Sequence, residues 1–131
     1  MEPCFKCSTQ NRRKVSIKKE PSDSWKAKML LAEHSPIRLV EYEWTWEQIP
    51  QWVTVHFTRH HIGCEKFVHT QRPDRTGSQI PRGEHLQGEL NEMDMTANAQ
   101  EIMAISRVRL CNCASKETRE AWTAMLQELK R

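Results

Sequence analysis

After Ser115, Trp122, Met125, Leu126 and Leu129 recur at steps of three and four residues. Residues so spaced share one face of a helix, and such a stripe is stable only against a second layer of structure. Ser115 suits the N-cap of this helix, and Glu117 and Glu120 suit the positive end of its first turn. A different period occurs between residues 37 and 45, where Val40, Tyr42 and Trp44 alternate with Leu39, Glu41 and Glu43. That is the pattern of a half-buried strand with Glu41 and Glu43 turned to solvent or a partner. With 131 residues the chain is long enough for one core and too short for two independent ones.

The remaining elements follow from local signals. Residues 1–13 have no apolar period and read as a tail or edge segment, and residues 14–17 suit a short strand. Ser22 or Ser24 caps a helix carrying Trp25, Met29, Leu30 and Ala32, which Ser35 and Pro36 bring to a stop. Ile49 and Pro50 open a second helix, because proline fits a first turn where its missing N–H costs nothing. Trp52, Val53, His56 and Phe57 give that helix one core face, and Arg59 and His60 arrive at its end. Residues 73–96 read as a long loop, since residues 73–88 are polar, rich in Pro and Gly and without a period. From Thr96 a helix is expected, with Ala99, Ile102, Met103, Ser106 and Leu110 on one face and Arg107 and Arg109 on others.

Residues 58–77 stand out chemically. Arg59, Lys66, Arg72 and Arg75 supply four cations beside His60, His61, His69 and Cys64, while Ile62, Phe67 and Val68 need a core. The combination predicts a half-buried site for a phosphate or another anion, because a guanidinium binds phosphate through two bonds and stays charged when partly desolvated. A basic face paired to carboxylates elsewhere is the plainer alternative. The net charge of +3 is mild, so a nucleic-acid coat or a polybasic membrane anchor is not indicated. No apolar run approaches the roughly 20 residues of a membrane span and no apolar signal segment opens the chain, which points to the cytoplasm. The five cysteines then read as reduced thiols, with one alternative: Cys4 and Cys7 have zinc-ligand spacing, and Cys111 and Cys113 would complete four ligands if the N-terminus folded back.

Several fragments, in order, resemble one family, the flavin-dependent thymidylate synthases. Arg59-His60-His61-Ile62-Gly63-Cys64 is similar to the first half of the signature R-H-R-x-x-S-x-N-E-x-S-x-R-Y. Ser35-Pro36 and the strand after it resemble T-P-F-E-H and its strand, and Lys14-Val15-Ser16 resembles R-V-S. Asn98-Ala99-Gln100, Val108-Arg109, Ala114 and Glu117 resemble N-A-R, L-R and H-A-Q-x-E-I without a gap. The chain differs from these motifs at Arg38 (family Glu), His61 (Arg), Cys64 (Ser), Lys66 and Phe67 (Asn-Glu), Gln100 (Arg) and Cys113 (His).

The resemblance implies an α+β fold, a small antiparallel sheet with packed helices, and a homo-oligomer, in the family a tetramer with sites shared between subunits. It implies reductive methylation of dUMP to dTMP, with FAD as cofactor and NADPH and methylenetetrahydrofolate as co-substrates. Arg109 is then the catalytic residue that bonds the uracil, and Arg59, Arg72 and Arg82 join it in holding the nucleotide. Ser16, Ser35, His60, His61, Ile62 and Asn98 are expected at the flavin. A shortened chain would leave Trp44, Trp46 and Trp52 for a neighbouring subunit to cover. Other expectations are non-catalytic nucleotide binding or assembly on the same fold, and a zinc-stabilised nucleic-acid module. In plainer terms, His60 and His61 serve the end of a helix, Arg107 and Arg109 pair with Glu101 or Glu117, and Cys64 is a small buried residue.

Overall fold

The computed structural model describes residues 21–130 together with the backbone of residues 5–8. Cys4 and the expected strand at 14–17, with Ser16, lie outside the described residues. Four strands, β1 (Phe5–Ser8), β2 (Glu41–Pro50), β3 (Cys64–Val68) and β4 (Leu90–Asn98), form one antiparallel sheet in the order β1-β2-β4-β3. The helices are α1 (Asp23–Leu31), α2 (Gln51–Thr58), the single turn α3 (Pro73–Thr76), α4 (Ala99–Arg109) and α5 (Lys116–Glu128). This is an α+β architecture with helices packed on a small antiparallel sheet. Among the described residues no helix is long and apolar enough to cross a membrane.

The core lies between one face of the sheet and α2, α4 and α5. Trp44 and Trp46 of β2 and Met93, Met95 and Ala97 of β4 point into it at every second position, as the pleat requires. Trp46 stacks on Phe57 of α2 at 4.8 Å, and Trp122 of α5 meets Trp44, Trp46 and Phe57 within 6.3 Å. The indole N–H of Trp46 donates to the carbonyl of Ala121, and that of Trp122 to Ser106 Oγ, so both rings are buried with their polar atoms bonded. Trp44 and Trp46 are therefore covered within one subunit, and Trp52 packs partly buried against the same cluster, contrary to the expectation that a neighbour must cover them.

Four boundaries differ from those expected. The loop placed at 73–96 ends at Leu90, where β4 begins: Met93, Met95 and Ala97 alternate with Glu92, Asp94 and Thr96, a period of two that methionine and alanine, weak strand formers, disguise. Within 73–88, α3 and a 3-10 turn at Arg82–Glu84 add local structure. The helix expected from Thr96 starts at Ala99, because residues 96–98 are still paired with β2. The strand expected at 37–45 is shifted to 41–50, since Pro36 winds Ser35–Leu39 into a 3-10 turn. Ser22 caps α1 through the N–H of Trp25, yet α1 buries no residue.

Candidate functional site

The junction between β4 and α4 organises the polar side of the molecule. Asn98 ends the strand and caps the helix, its Oδ1 accepting the N–H of Glu101 at 2.9 Å. Its own N–H donates to the carbonyl of Gly63 at 2.9 Å, which fixes the turn between α2 and β3 beside the start of α4. Gly63 has φ +67°, and a Cβ there would lie 2.5 Å from Asn98 Nδ2. Replacing Gly63 by alanine combines left-handed strain of about 1–2 kcal/mol with displacement of the capping amide, worth about 1 kcal/mol. A loss of roughly 2–3 kcal/mol is expected in urea unfolding, and a midpoint unchanged from wild type would show that the turn rearranges freely.

Arg109, in the last turn of α4, folds back toward the end of α2. Its Nε donates to His60 Nε2 at 3.0 Å, and its Nη2 to the carbonyl of His56 at 2.5 Å. Because His60 Nε2 accepts, its proton sits on Nδ1, which faces Glu101 Oε1 at 3.7 Å. Burial, then the charges of Arg109, Lys66 and His61, hold the pKa of His60 down at about 4. Burial raises Glu101, so the His60–Glu101 contact is a half-buried neutral-histidine contact at neutral pH rather than an ion pair. Arg109 is itself lowered by burial and by Arg59, which places the two guanidinium charges within each other's field. His56 Nδ1 lies 2.8 Å from Thr118 Oγ1, and burial, Arg109 and Arg59 lower its pKa.

These values set a pH dependence of stability. His60 titrates near 6.5 unfolded and near 4 folded, so the unfolded chain binds more protons between those values and stability falls as the pH drops through them. The raised Glu101 acts in the opposite sense at the lower end of that window. His60→Gln is expected to flatten the fall in Tm between about pH 6.5 and pH 5; the same slope in both proteins would remove His60 from the balance.

His61 is exposed, with its Nδ1 3.5 Å from Lys66 Nζ, and borders a cavity of about 230 Å³ with Glu41, Gly63, Cys64 and Asn98. Ile62 is 83% exposed, and Ser35 is exposed at the start of its 3-10 turn. Thus the structure brings Arg59, His60, Asn98 and Arg109 into one connected region with His61 at its edge. Arg72 is instead engaged by Asp74 through two bonds of 3.0 and 2.8 Å, and Arg82 is exposed in the 82–84 turn. Arg107 pairs with Glu33 rather than with Glu101 or Glu117. Cys64 is buried, its thiol raised by burial and donating to the carbonyl of His60 at 3.3 Å, which is a packing role.

Three contacts were not anticipated: Gly63 against Asn98, Glu101 against His60, and Arg38 Nε donating to Gln100 Oε1 at 2.5 Å. The spacing Asn98-x-x-Glu101 is a helix-start signature that would have placed the cap correctly and flagged Glu101. Among the described residues no three His, Cys, Asp or Glu side chains gather as metal ligands; Cys111 and Cys113 are free and exposed, while Cys4 and the side chain of Cys7 lie outside the described set. The chain matches no protein-family model, and no curated protein aligns with it significantly.

Proposed function

We propose that the chain is a shortened flavin-dependent thymidylate synthase-like enzyme that reductively methylates dUMP to dTMP. The observation that carries this reading is the bond from Arg109 to His60: two motif segments separated by 49 residues meet where both side chains are half-buried, with the exposed Arg59 near enough for its charge to act on Arg109. A guanidinium held there without reorganisation is suited to stabilise negative charge developing on a pyrimidine carbonyl, and Arg59 is suited to a phosphate. The Arg38–Gln100 bond adds support, since both residues depart from the family motifs and here satisfy each other.

Two donors at the Gly63 cavity suit oxygens of FAD. His61 and the amide of Asn98 line it and can donate to phosphate or carbonyl oxygens, with Lys66 Nζ 3.5 Å from His61 Nδ1, while Glu41 and Glu65 of the same lining must turn away from a phosphate. When bound, the flavin supplies the hydride and the protein supplies binding and orientation. At about 230 Å³ the cavity is below the roughly 300–1,000 Å³ of a complete small-molecule site, so a second copy of the chain completes it in this reading. His60, neutral at physiological pH, holds the Arg109 guanidinium in place through Nε2 rather than competing with it as a cation.

The test is anaerobic incubation of the purified protein with FAD, dUMP, methylenetetrahydrofolate and NADPH, assayed for dTMP. Formation of dTMP by a yellow protein is expected. A colourless protein that binds dUMP by calorimetry without turnover would replace the enzyme by a nucleotide-binding relative of the same fold, and one that binds neither would end the proposal.

A further inference from the structure

The connection between α4 and α5 carries chemistry that the pyrimidine reading leaves unused. Leu110 ends α4 and Ser115 caps α5, and between them the N–H of Ala114 donates to the carbonyl of Cys111 at 2.9 Å, closing a four-residue turn. Inside this turn the sulfur of Cys111 accepts the backbone N–H of Cys113 at 3.5 Å. Both cysteines are exposed, unlike Cys64. Arg119 of α5 holds the turn from the other side, its Nη1 donating to the carbonyls of Asn112 and Ala114 at 3.1 and 3.3 Å.

We propose that Cys111 and Cys113 form a dithiol site that exchanges with low-molecular-weight disulfides of the glutathione type and closes to a disulfide within the turn. A four-residue turn brings its ends within about 7 Å, so Cα atoms two apart inside it lie in the range of roughly 4.4–6.8 Å that a disulfide spans. The Cys111 sulfur already lies against the backbone N–H of Cys113, so closure needs little movement of the chain. Tetrahedral zinc takes four ligands, and among the described residues no third one gathers here. The hydrogen bonds from Cys113 and the charge of Arg119 lower the Cys111 thiol, in keeping with Cys111 as the attacking sulfur.

The thiolate of Cys111 attacks one sulfur of the small disulfide, breaking its S–S bond and releasing one thiolate, which takes up a proton. The thiolate of Cys113 then attacks the Cys111 sulfur of the mixed disulfide and releases the second small thiol. Two protein thiols are oxidised, one small disulfide is reduced to two thiols, and the two protein protons end on the released thiols.

The full chain treated with oxidised glutathione, quenched in acid, alkylated and cut with trypsin tests this, because cleavage after Arg109 and Lys116 isolates both cysteines in the peptide 110–116. That peptide is expected to escape alkylation and to be lighter by two hydrogens than its reduced form. Cys113→Ser is expected to stop at a glutathione adduct on Cys111, and Cys64 to react at least about tenfold more slowly than Cys111. Double alkylation of the peptide after treatment, linkage of either cysteine to Cys4 or Cys7, or no adduct in Cys113→Ser would overturn the assignment. None of these readouts involves dUMP or flavin, so failure of the enzymatic reading leaves the result interpretable.

Discussion

Arg109→Ala is expected to lower the rate of dTMP formation by about 100- to 1,000-fold, the usual consequence of removing one preorganised donor from a developing negative charge. The side chain also ties α4 to the end of α2 through His60 and the carbonyl of His56, so lost activity alone would not separate chemistry from folding. Arg109→Lys resolves the two. A lysine keeps the charge but lacks the planar fork needed to reach His60 and a substrate oxygen together, so turnover should stay low while the near-UV circular dichroism and urea midpoint return close to wild type. Arg109→Ala with wild-type turnover would remove the guanidinium from the mechanism. Loss of activity matched by equal loss of structure in both variants would reduce Arg109 to a tether.

The second large effect concerns stability. Trp122→Ala is expected to cost about 3–5 kcal/mol in urea unfolding, the range for deleting a large aromatic ring from a packed core. Trp122 is fully buried and touches Trp44, Trp46 and Phe57, which belong to β2 and α2, so its loss opens a void at the meeting point of three elements. It also deprives Ser106 Oγ of its donor, although that hydroxyl still donates to the carbonyl of Ile102 at 2.6 Å. Against a typical total of about 5–15 kcal/mol, the variant would be marginally folded at best. Trp122→Phe, which keeps a ring but not the N–H, should cost much less. Equal midpoints for Trp122→Ala and wild type would contradict the assignment of this ring to the centre of the core.

The core faces of α2 and α5 were legible because their apolar residues are large and strongly periodic, whereas the apolar residues of α1 bury nothing. Trp122 and Met125 on α5 and Val53 and Phe57 on α2 lie buried where the spacing put them. β4 was not legible, because its inward residues are Met93, Met95 and Ala97 and its outward ones are polar, so nothing in side-chain type announces a strand; its pairing with both β2 and β3 decides the matter. At the candidate site, sequence pattern drew attention to Arg59, His60, Asn98 and Arg109. It had no way to show Arg72 committed to Asp74, which depends on the path of a short turn, or Gly63 pressed against Asn98, which depends on two segments 35 residues apart.

The amide of Asn98 has a fixed polarity as a result of its place in the fold. Its oxygen must face the N–H of Glu101, because only that end of the amide can accept, and this leaves the NH2 group at Gly63. Whatever settles against that corner therefore meets a donor and has to offer a lone pair in return. A carbonyl or phosphoryl oxygen satisfies that condition at the amide, while Glu41 and Glu65 in the same cavity lining offer acceptors for a donor placed farther along.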